Sequence, residues 1–366
     1  MEKNKRLLSI DTFRGLDMSL IMGVEGVILA CCALFPNGGE SWLATQMHHA
    51  DWDGLRIIDL VFPIFLFIAG LSFPFSLAKQ QAQGRTTGEM HRKIFVRALV
   101  LVALGIVYNG FFKLEFPQRY ASVLGRIGLA WMLAALLHMH CKTKTRAVIA
   151  ACILLGYWLL LAFVTAPDAP AGASSLSREG CITGYIDRLL LPGRLHSGDF
   201  DPEGLLATLP ATVTAMLGMF TGEFIAKEGL EEKKKALWMA LAALFLLGAG
   251  LLWSLVFPLN KRLWSSSYVL VAGGLSLGVY ALIYYMVEVR EWTRWTYPLR
   301  VIGLNSITIY LVQKIVPMKG VAQFFFGGLA GYLPEACGNV ILAVGYFLVS
   351  WLLLYFLDKK NIYLKV

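Results

Sequence analysis

The hydrophobic positions of this chain follow neither the 3.6-residue period of an amphipathic helix nor the alternation of a strand. They fall in long apolar runs, each close to the ~20 residues a helix needs to cross a hydrocarbon core of about 30 Å. Ten runs stand out: Leu16–Phe35, Leu55–Ala78, Ile94–Phe112, Ala121–His140, Ala147–Ala166, Gly204–Ala226, Ala236–Phe257, Ser265–Val287, Pro298–Val316 and Cys337–Leu357. Val321–Leu333 is apolar but short and Gly-rich, and reads as re-entrant or interfacial, with an eleventh span as the alternative. The pattern predicts an all-α polytopic membrane protein of about ten transmembrane helices, organised as a single domain over residues 1–366. There is no internal repeat, coiled coil or low-complexity tract.

Composition narrows the class further. The chain is 57% hydrophobic and 16% charged, against roughly 25% charged residues in ordinary globular domains. So much apolar surface must face lipid, which excludes a soluble enzyme, a disordered chain and a disulfide-stapled secreted domain. The net charge of +9 does not indicate nucleic-acid binding, because the cations sit in short connections. Lys3, Lys5 and Arg6, the even connections (Lys79, Arg85, Arg92, Lys93; Lys142, Lys144, Arg146; Lys227, Lys233–Lys235; Arg290, Arg294) and the C-terminal Lys359, Lys360 and Lys365 carry them. The first odd connection, Pro36–Gly54, has neither Lys nor Arg. By the positive-inside rule both termini are expected in the cytoplasm.

The basic start followed by Ile28-Leu29-Ala30-Cys31 imitates a lipoprotein cleavage box, but Asp11, Arg14, Asp17 and Glu25 interrupt it, so the segment reads as a retained span. Cys181 and Cys337 are the two cysteines on the outer side, where a bridge is chemically allowed, and no cysteine or histidine spacing suggests a metal site. The long outer connection, Pro167–Glu203, starts Pro/Ala/Gly/Ser-rich and is expected to be mobile to Ser177. Beyond that it mixes aromatic, acidic and basic residues, as a partly ordered cap would.

Ionisable groups inside spans are costly and mark sites or pathways. Glu25 lies nine residues into the first run, about 13 Å deep at 1.5 Å per residue, and is either a site carboxylate or a structural partner of an arginine. His48 and His49 precede the second run, flanked by Asp51, Trp52 and Asp53; imidazole is the side chain best suited to taking and returning a proton near neutral pH. Arg56 and Asp59, three apart, read as a local ion pair, and Pro63 as a kink. Arg14, Arg97 and Arg126 form either interfacial ion pairs or a cytoplasmic cationic cluster that holds phosphate. Asn305, Ser306, Thr308 and Tyr310 are inter-helix glue or cavity lining. No Walker loop, dinucleotide glycine fingerprint or nucleophile elbow is present.

Several ordered segments resemble the heparan-alpha-glucosaminide N-acetyltransferase family and its bacterial relatives. They are Leu8-Ser9-Ile10-Asp11-Thr12-Phe13-Arg14-Gly15, His49-Ala50-Asp51-Trp52-Asp53-Gly54-Leu55, the stretch from Asp59 through Pro63 to Gly70, and Val123-Leu124-Gly125-Arg126-Ile127-Gly128. The likeness continues in Gly184–Leu191, Phe200-Asp201-Pro202-Glu203-Gly204-Leu205-Leu206, Pro258–Tyr268 and Gly303-Leu304-Asn305-Ser306.

The resemblance implies a multi-span enzyme, here of a bacterial inner membrane and as a homodimer, that takes acetyl-CoA from the cytoplasmic side and acetylates a terminal glucosamine amine on the far side. The family's active histidine falls on His49, and its first-span asparagine falls on Glu25. Glu25 would then hold His49 in its productive tautomer or act as a base itself. The lumenal domain of animal members is not expected. Read together with the residues, the resemblance makes Arg14, Arg97, Arg126 and Asn305 candidate acetyl-CoA contacts. Trp52, Asp187, Arg188, Asp201, Glu203, Asn260, Lys261 and Trp264 become candidate contacts for the sugar acceptor. Direct attack in a ternary complex is favoured over an acetyl-histidine. Two other readings stand: O-acetylation of a surface polysaccharide or glycolipid, for which the Glu25 departure speaks, and a transporter that couples protons through Glu25 and Arg126.

Overall fold

A computed structural model describes residues 7–110 and 116–364. Lys3, Lys5, Arg6 and Lys365, and the end of the third expected span at Phe112, lie outside the described residues. In chain order the helices are α1 Leu8–Ser19, α2 Glu25–Cys32, α3 Trp42–Gln46, α4 Val61–Ala82, α5 Thr87–Tyr108, α6 Val123–His140, α7 Thr143–Phe163, α8 Ile182–Leu190, α9 Thr208–Ala226 and α10 Glu232–Trp253. They continue with α11 Ser266–Tyr284, α12 Thr296–Leu304, α13 Ser306–Ile315, α14 Met318–Gly331 and α15 Glu335–Lys359. Among the described residues only isolated bridges, such as Arg119 with Gly193, represent β structure.

Among the described residues eight helical segments are long and apolar enough to cross a membrane: Leu8–Cys32, Ile57–Ala82, Val123–His140, Thr143–Phe163, Thr208–Ala226, Glu232–Trp253, Ser266–Val289 and Glu335–Lys359. The other two expected spans take a different form. Ile94–Phe112 falls on α5, which starts at a Thr86/Glu89 capping box and carries His91, Arg92, Lys93 and Arg97 along its first half. Pro298–Val316 is divided into α12 and α13 at Asn305, whose backbone (φ −120°, ψ 28°) leaves the helical region. The ambiguous stretch after it forms α14, whose 14 residues reach only about 21 Å at 1.5 Å per residue, short of a full crossing.

The helices pack as two compact units. Among the described residues the first holds 7–50, Arg56–Val61 and 282–364; the second holds Asp51–Leu55, 62–110 and 116–281. In the first, α1 packs on α12, α14 pairs with α15, and α15 also meets α2. Its first span is not a uniform helix. A widened turn, Leu20–Val24, separates α1 from α2, with the Glu25 N–H donating to Leu20 O five residues back and Gly23 at φ 149°. The φ of 149° favours glycine there, and a Cβ at Gly23 would also press on the Tyr346 ring at 3.1 Å.

In the second unit α6 packs against α5 and α9, and α9 also meets α7. Small residues permit such approaches: a Cβ at Gly128 on α6 would lie 3.0 Å from the Ala98 carbonyl on α5, and one at Gly218 on α9 would lie 2.0 Å from the Phe67 carbonyl on α4. The long connection is more ordered than its composition suggests. Ala166 N donates to Gly180 O at 2.9 Å, Ser175 Oγ donates to Ala162 O at 3.3 Å, and α8 forms its second part. All six cysteines are free thiols in this structure.

Candidate functional site

The turn after α3 and the 3-10 turn Ile57–Leu60 build the strongest catalytic geometry. Ser41 starts α3 by accepting the Ala44 N–H at 3.3 Å, and Gln46 Oε1 at its end accepts the Ile57 N–H at 3.2 Å. Between these anchors the chain folds back on itself. His49 Nδ1 lies 2.7 Å from Asp59 Oδ1. Asp59 Oδ2 accepts the backbone N–H groups of Ala50 and Arg56, both at 3.2 Å. The imidazole is 59% exposed whereas the carboxylate is 1% exposed. A buried carboxylate at Nδ1 selects the tautomer that carries its proton there and directs Nε2 to take up a proton.

This arrangement corrects two expectations. The carboxylate that orients His49 is Asp59 rather than Glu25. Arg56 does not form its expected ion pair with Asp59: its guanidinium donates to the carbonyls of His49 at 3.0 Å and His48 at 3.4 Å, which fixes the turn beneath the imidazole.

Elsewhere in the first unit, Glu25 opens α2, half-buried, and lines a cavity of about 550 Å³ with Lys319, Gln323 and Tyr346. Arg14 sits 3.6 Å from Asp11. Asn305 is 2% exposed; its Oδ1 accepts from Thr308 Oγ1 at 3.3 Å, while its Nδ2 is buried with no hydrogen-bond partner. A buried donor left unused costs about 1–3 kcal/mol, and suits a ligand carbonyl.

The second unit holds the expected acceptor residues, and three of them, Arg188, Asp201 and Glu203, enter ion pairs. Arg119 binds the last two: Nε donates to Asp201 Oδ2 at 2.8 Å, Nη2 to Asp201 Oδ1 at 2.6 Å, and Nη2 also to Glu203. Asp201 further accepts the N–H groups of His196 and Glu203, both at 3.0 Å. Despite its burial, the hydrogen bonds and charge of Arg119 hold the Asp201 carboxyl below its usual range. Asp187 accepts the Leu205 N–H at 2.9 Å; burial pushes its carboxyl up to about 7, against the opposing pull of that hydrogen bond and of Arg126. Arg188 pairs with Asp168 at 2.7 Å and donates to Asp199 O at 2.6 Å.

Several of these groups are therefore committed to the fold. Trp264, expected to stack on a sugar ring, is fully buried; its indole N–H donates to Thr214 Oγ1 at 3.2 Å, and Arg126 lies over its ring at 5.3 Å. Asn260, 1% exposed, accepts the Leu263 N–H at 2.8 Å and donates to Asp53 Oδ1 at 3.1 Å. Lys261 beside it is half-buried. Trp52 is half-buried, donating to Leu176 O at 2.9 Å and resting edge-on against Phe200.

Arg126 and Arg97 also take positions of their own. Arg97 covers the Trp131 ring at 4.3 Å. Arg126 is 2% exposed in the first turn of α6. Its Nη2 donates to Gly204 O at 3.2 Å, while Nε and Nη1 are buried without a hydrogen-bond partner. Arg126 sits at the end of α6 that adjoins the acidic connection. Arg119, the residue that organises this region, gave little signal in sequence beyond the need of Asp201 and Glu203 for a cation. Among the described residues no cluster of three or more His, Cys, Asp or Glu is arranged to hold a metal.

Comparison with known proteins places this geometry. A family model described as heparan-alpha-glucosaminide N-acetyltransferase, catalytic, matches residues 6–259, a stretch that includes His49, Asp59, Arg126 and the acidic connection. The chain is 26% identical over 418 residues to the human heparan-alpha-glucosaminide N-acetyltransferase, covering 99% of this chain and 60% of that protein. The mouse protein of the same name is 26% identical over 422 residues, with the same shares covered. The chain thus spans about 60% of the length of the curated relatives it matches. With a family model matched over well more than half its length, this chain belongs to the heparan-alpha-glucosaminide N-acetyltransferase catalytic family.

Proposed function

We propose that the chain is a multi-pass membrane acyltransferase that moves the acetyl group of acetyl-CoA to the amine of a terminal glucosamine, with His49 as general base and Asp59 as its positioning residue. The observation that carries this reading is the 2.7 Å contact between His49 Nδ1 and the buried Asp59 carboxylate, within the stretch matched by the family model. An ammonium cannot attack a thioester. His49 Nε2 accepts the proton from the acceptor amine as the C–N bond forms; the tetrahedral centre then collapses, the C–S bond breaks and CoA leaves as its thiolate. Asp59 stabilises the imidazolium that results without itself taking the proton, as a buried carboxylate behind a histidine does elsewhere.

Asn305 Nδ2 and the Nε and Nη1 atoms of Arg126 are buried donors without partners, and suit ligand oxygens: a carbonyl for the first, an anionic or hydroxyl oxygen for the second. Arg14 and Arg97 keep the role of phosphate contacts for acetyl-CoA. Arg126 joins Glu203 and Arg188 on the acceptor side, because it donates to Gly204 O and faces the acidic connection. The cationic connections support cytoplasmic termini and acetyl-CoA entry from the cytoplasm, in a bacterial inner membrane.

The test is thioester consumption by purified protein in detergent with glucosamine or a hydroxyl sugar as acceptor. Acetylated amine supports the proposal. Acetylation of hydroxyls alone moves the acceptor to an O-linked class, and absence of any acetyl-CoA binding overturns acyl transfer in favour of transport.

A further inference from the structure

We propose that the cavity beside the widened turn of the first span is a binding site for an amphoteric ligand, with Glu25 holding a primary ammonium and Lys319 an anionic group. The cavity measures about 550 Å³, within the roughly 300–1,000 Å³ range of small-molecule sites. It lies wholly within the first packed unit, and it is built rather than incidental. Gly23 at φ 149° and the five-residue hydrogen bond from Glu25 N to Leu20 O widen the helix immediately before Glu25, a feature that recurs at functional sites. Gln313 Nε2 then ties the two walls together, donating to Met22 O at 2.9 Å and to the Tyr346 hydroxyl at 2.7 Å.

The lining is chemically divided. Glu25 stands on one wall and Lys319 with Gln323 on another, with Ile21, Leu342 and Ala343 supplying apolar surface. Among the described residues neither Glu25 nor Lys319 is engaged in an ion pair. A carboxylate and an ammonium that face one space without pairing are complementary to a ligand carrying both opposite charges. A carboxylate recognises N–H donors through short charge-assisted hydrogen bonds, whereas a quaternary ammonium lacks them and is recognised by aromatic cages. Tyr346 is the aromatic residue among the lining groups, and its hydroxyl is already held by Gln313. The site therefore favours a primary ammonium.

This chemistry has two sources: a membrane phospholipid with an ethanolamine headgroup, or a phosphorylated amino sugar. The inference does not depend on acetyl transfer, because its readout is binding. Full-length protein would be purified in detergent and its thermal stability measured with glucosamine 1-phosphate, with phosphatidylethanolamine and with phosphatidylcholine, alongside native mass spectrometry of lipid adducts. The expected result is stabilisation by the ethanolamine lipid or the sugar phosphate and not by the choline lipid, with Glu25→Gln and Lys319→Gln each weakening apparent affinity at least ten-fold. Stabilisation by the lipid alone assigns the site to membrane lipid, and by the sugar phosphate alone to a soluble or glycan-borne ligand. Equal response to the choline lipid, unchanged binding in both variants, or no response to any probe overturns the proposal. Should Glu25→Gln not fold, Lys319→Gln, at an exposed residue, decides alone.

Discussion

In the second packed unit six charged residues of the long connection are matched: Asp201 and Glu203 by Arg119, Arg188 by Asp168, and Arg178 by Asp199. In the first unit the polar groups sit differently. His49 is largely exposed on a buried carboxylate, Glu25 faces a cavity, and Asn305 holds an unused donor. Residues of the same chemical types thus serve two purposes. Where every atom of a buried polar side chain is satisfied, the residue fixes a loop. Where geometry is fixed but bonding capacity remains, the residue is available to a substrate. In the second unit Arg126 departs from this rule, anchored at Gly204 yet with two donors unspent.

The largest expected effect breaks the comparison on its open side. His49→Ala should lower acetyl transfer by about 10²–10⁴-fold, the usual contribution of a general base, while leaving the melting temperature near wild type because the imidazole is mostly exposed; kinetics and a thermal melt on the same preparation check both. On the closed side the effect should fall on stability. Arg119→Ala leaves the Asp201 carboxylate buried and unpaired, which costs about 3–5 kcal/mol, and thermal unfolding in detergent should register it even where acetyl-CoA binding persists. Gly23→Ala forces a side chain into a φ of 149° against Tyr346. A strained backbone of this kind costs about 1–3 kcal/mol, and the same melt should show a smaller loss.

The mildest effect is a pH slope. Asp187 titrates near 7 when folded against an ordinary 3.8, so between about pH 4 and 7 the folded chain holds a proton that the unfolded chain releases. Its contribution favours folding below about pH 4 and is lost as pH rises toward 7. Asp187→Asn keeps an acceptor for the Leu205 N–H and should flatten the dependence of melting temperature on pH in that window. An unchanged slope would place the titration elsewhere.

The membrane class and most spans were legible because apolar run length is a one-dimensional property. The interruptions were not. Gly23 inside an apolar run looks like any span residue, and the break at Asn305 depends on how α12 and α13 pack. The turn that carries His49 stood out in sequence through its aromatic and acidic surroundings and the family resemblance, and the structure adds the buried carboxylate behind the imidazole. Asp59 was misassigned because three-residue spacing suggested a pair with Arg56, whereas the backbone turns His49 onto it from ten residues away. Trp264 carried the composition of a sugar-stacking residue, but its burial is a tertiary fact that sequence spacing does not contain. Arg119 was missed for the same reason, since its acidic partners lie more than eighty residues along the chain.

Whether Asp59 acts through His49 is decided by a double-mutant cycle on kcat. Acetylation of glucosamine would be measured for wild type, His49→Ala, Asp59→Asn and the double variant. Residues that work as one unit are strongly non-additive, so Asp59→Asn should reduce kcat by at least ten-fold in the wild type and have almost no further effect once His49 is gone. An equal loss in both backgrounds would contradict the account and return Asp59 to a purely structural role.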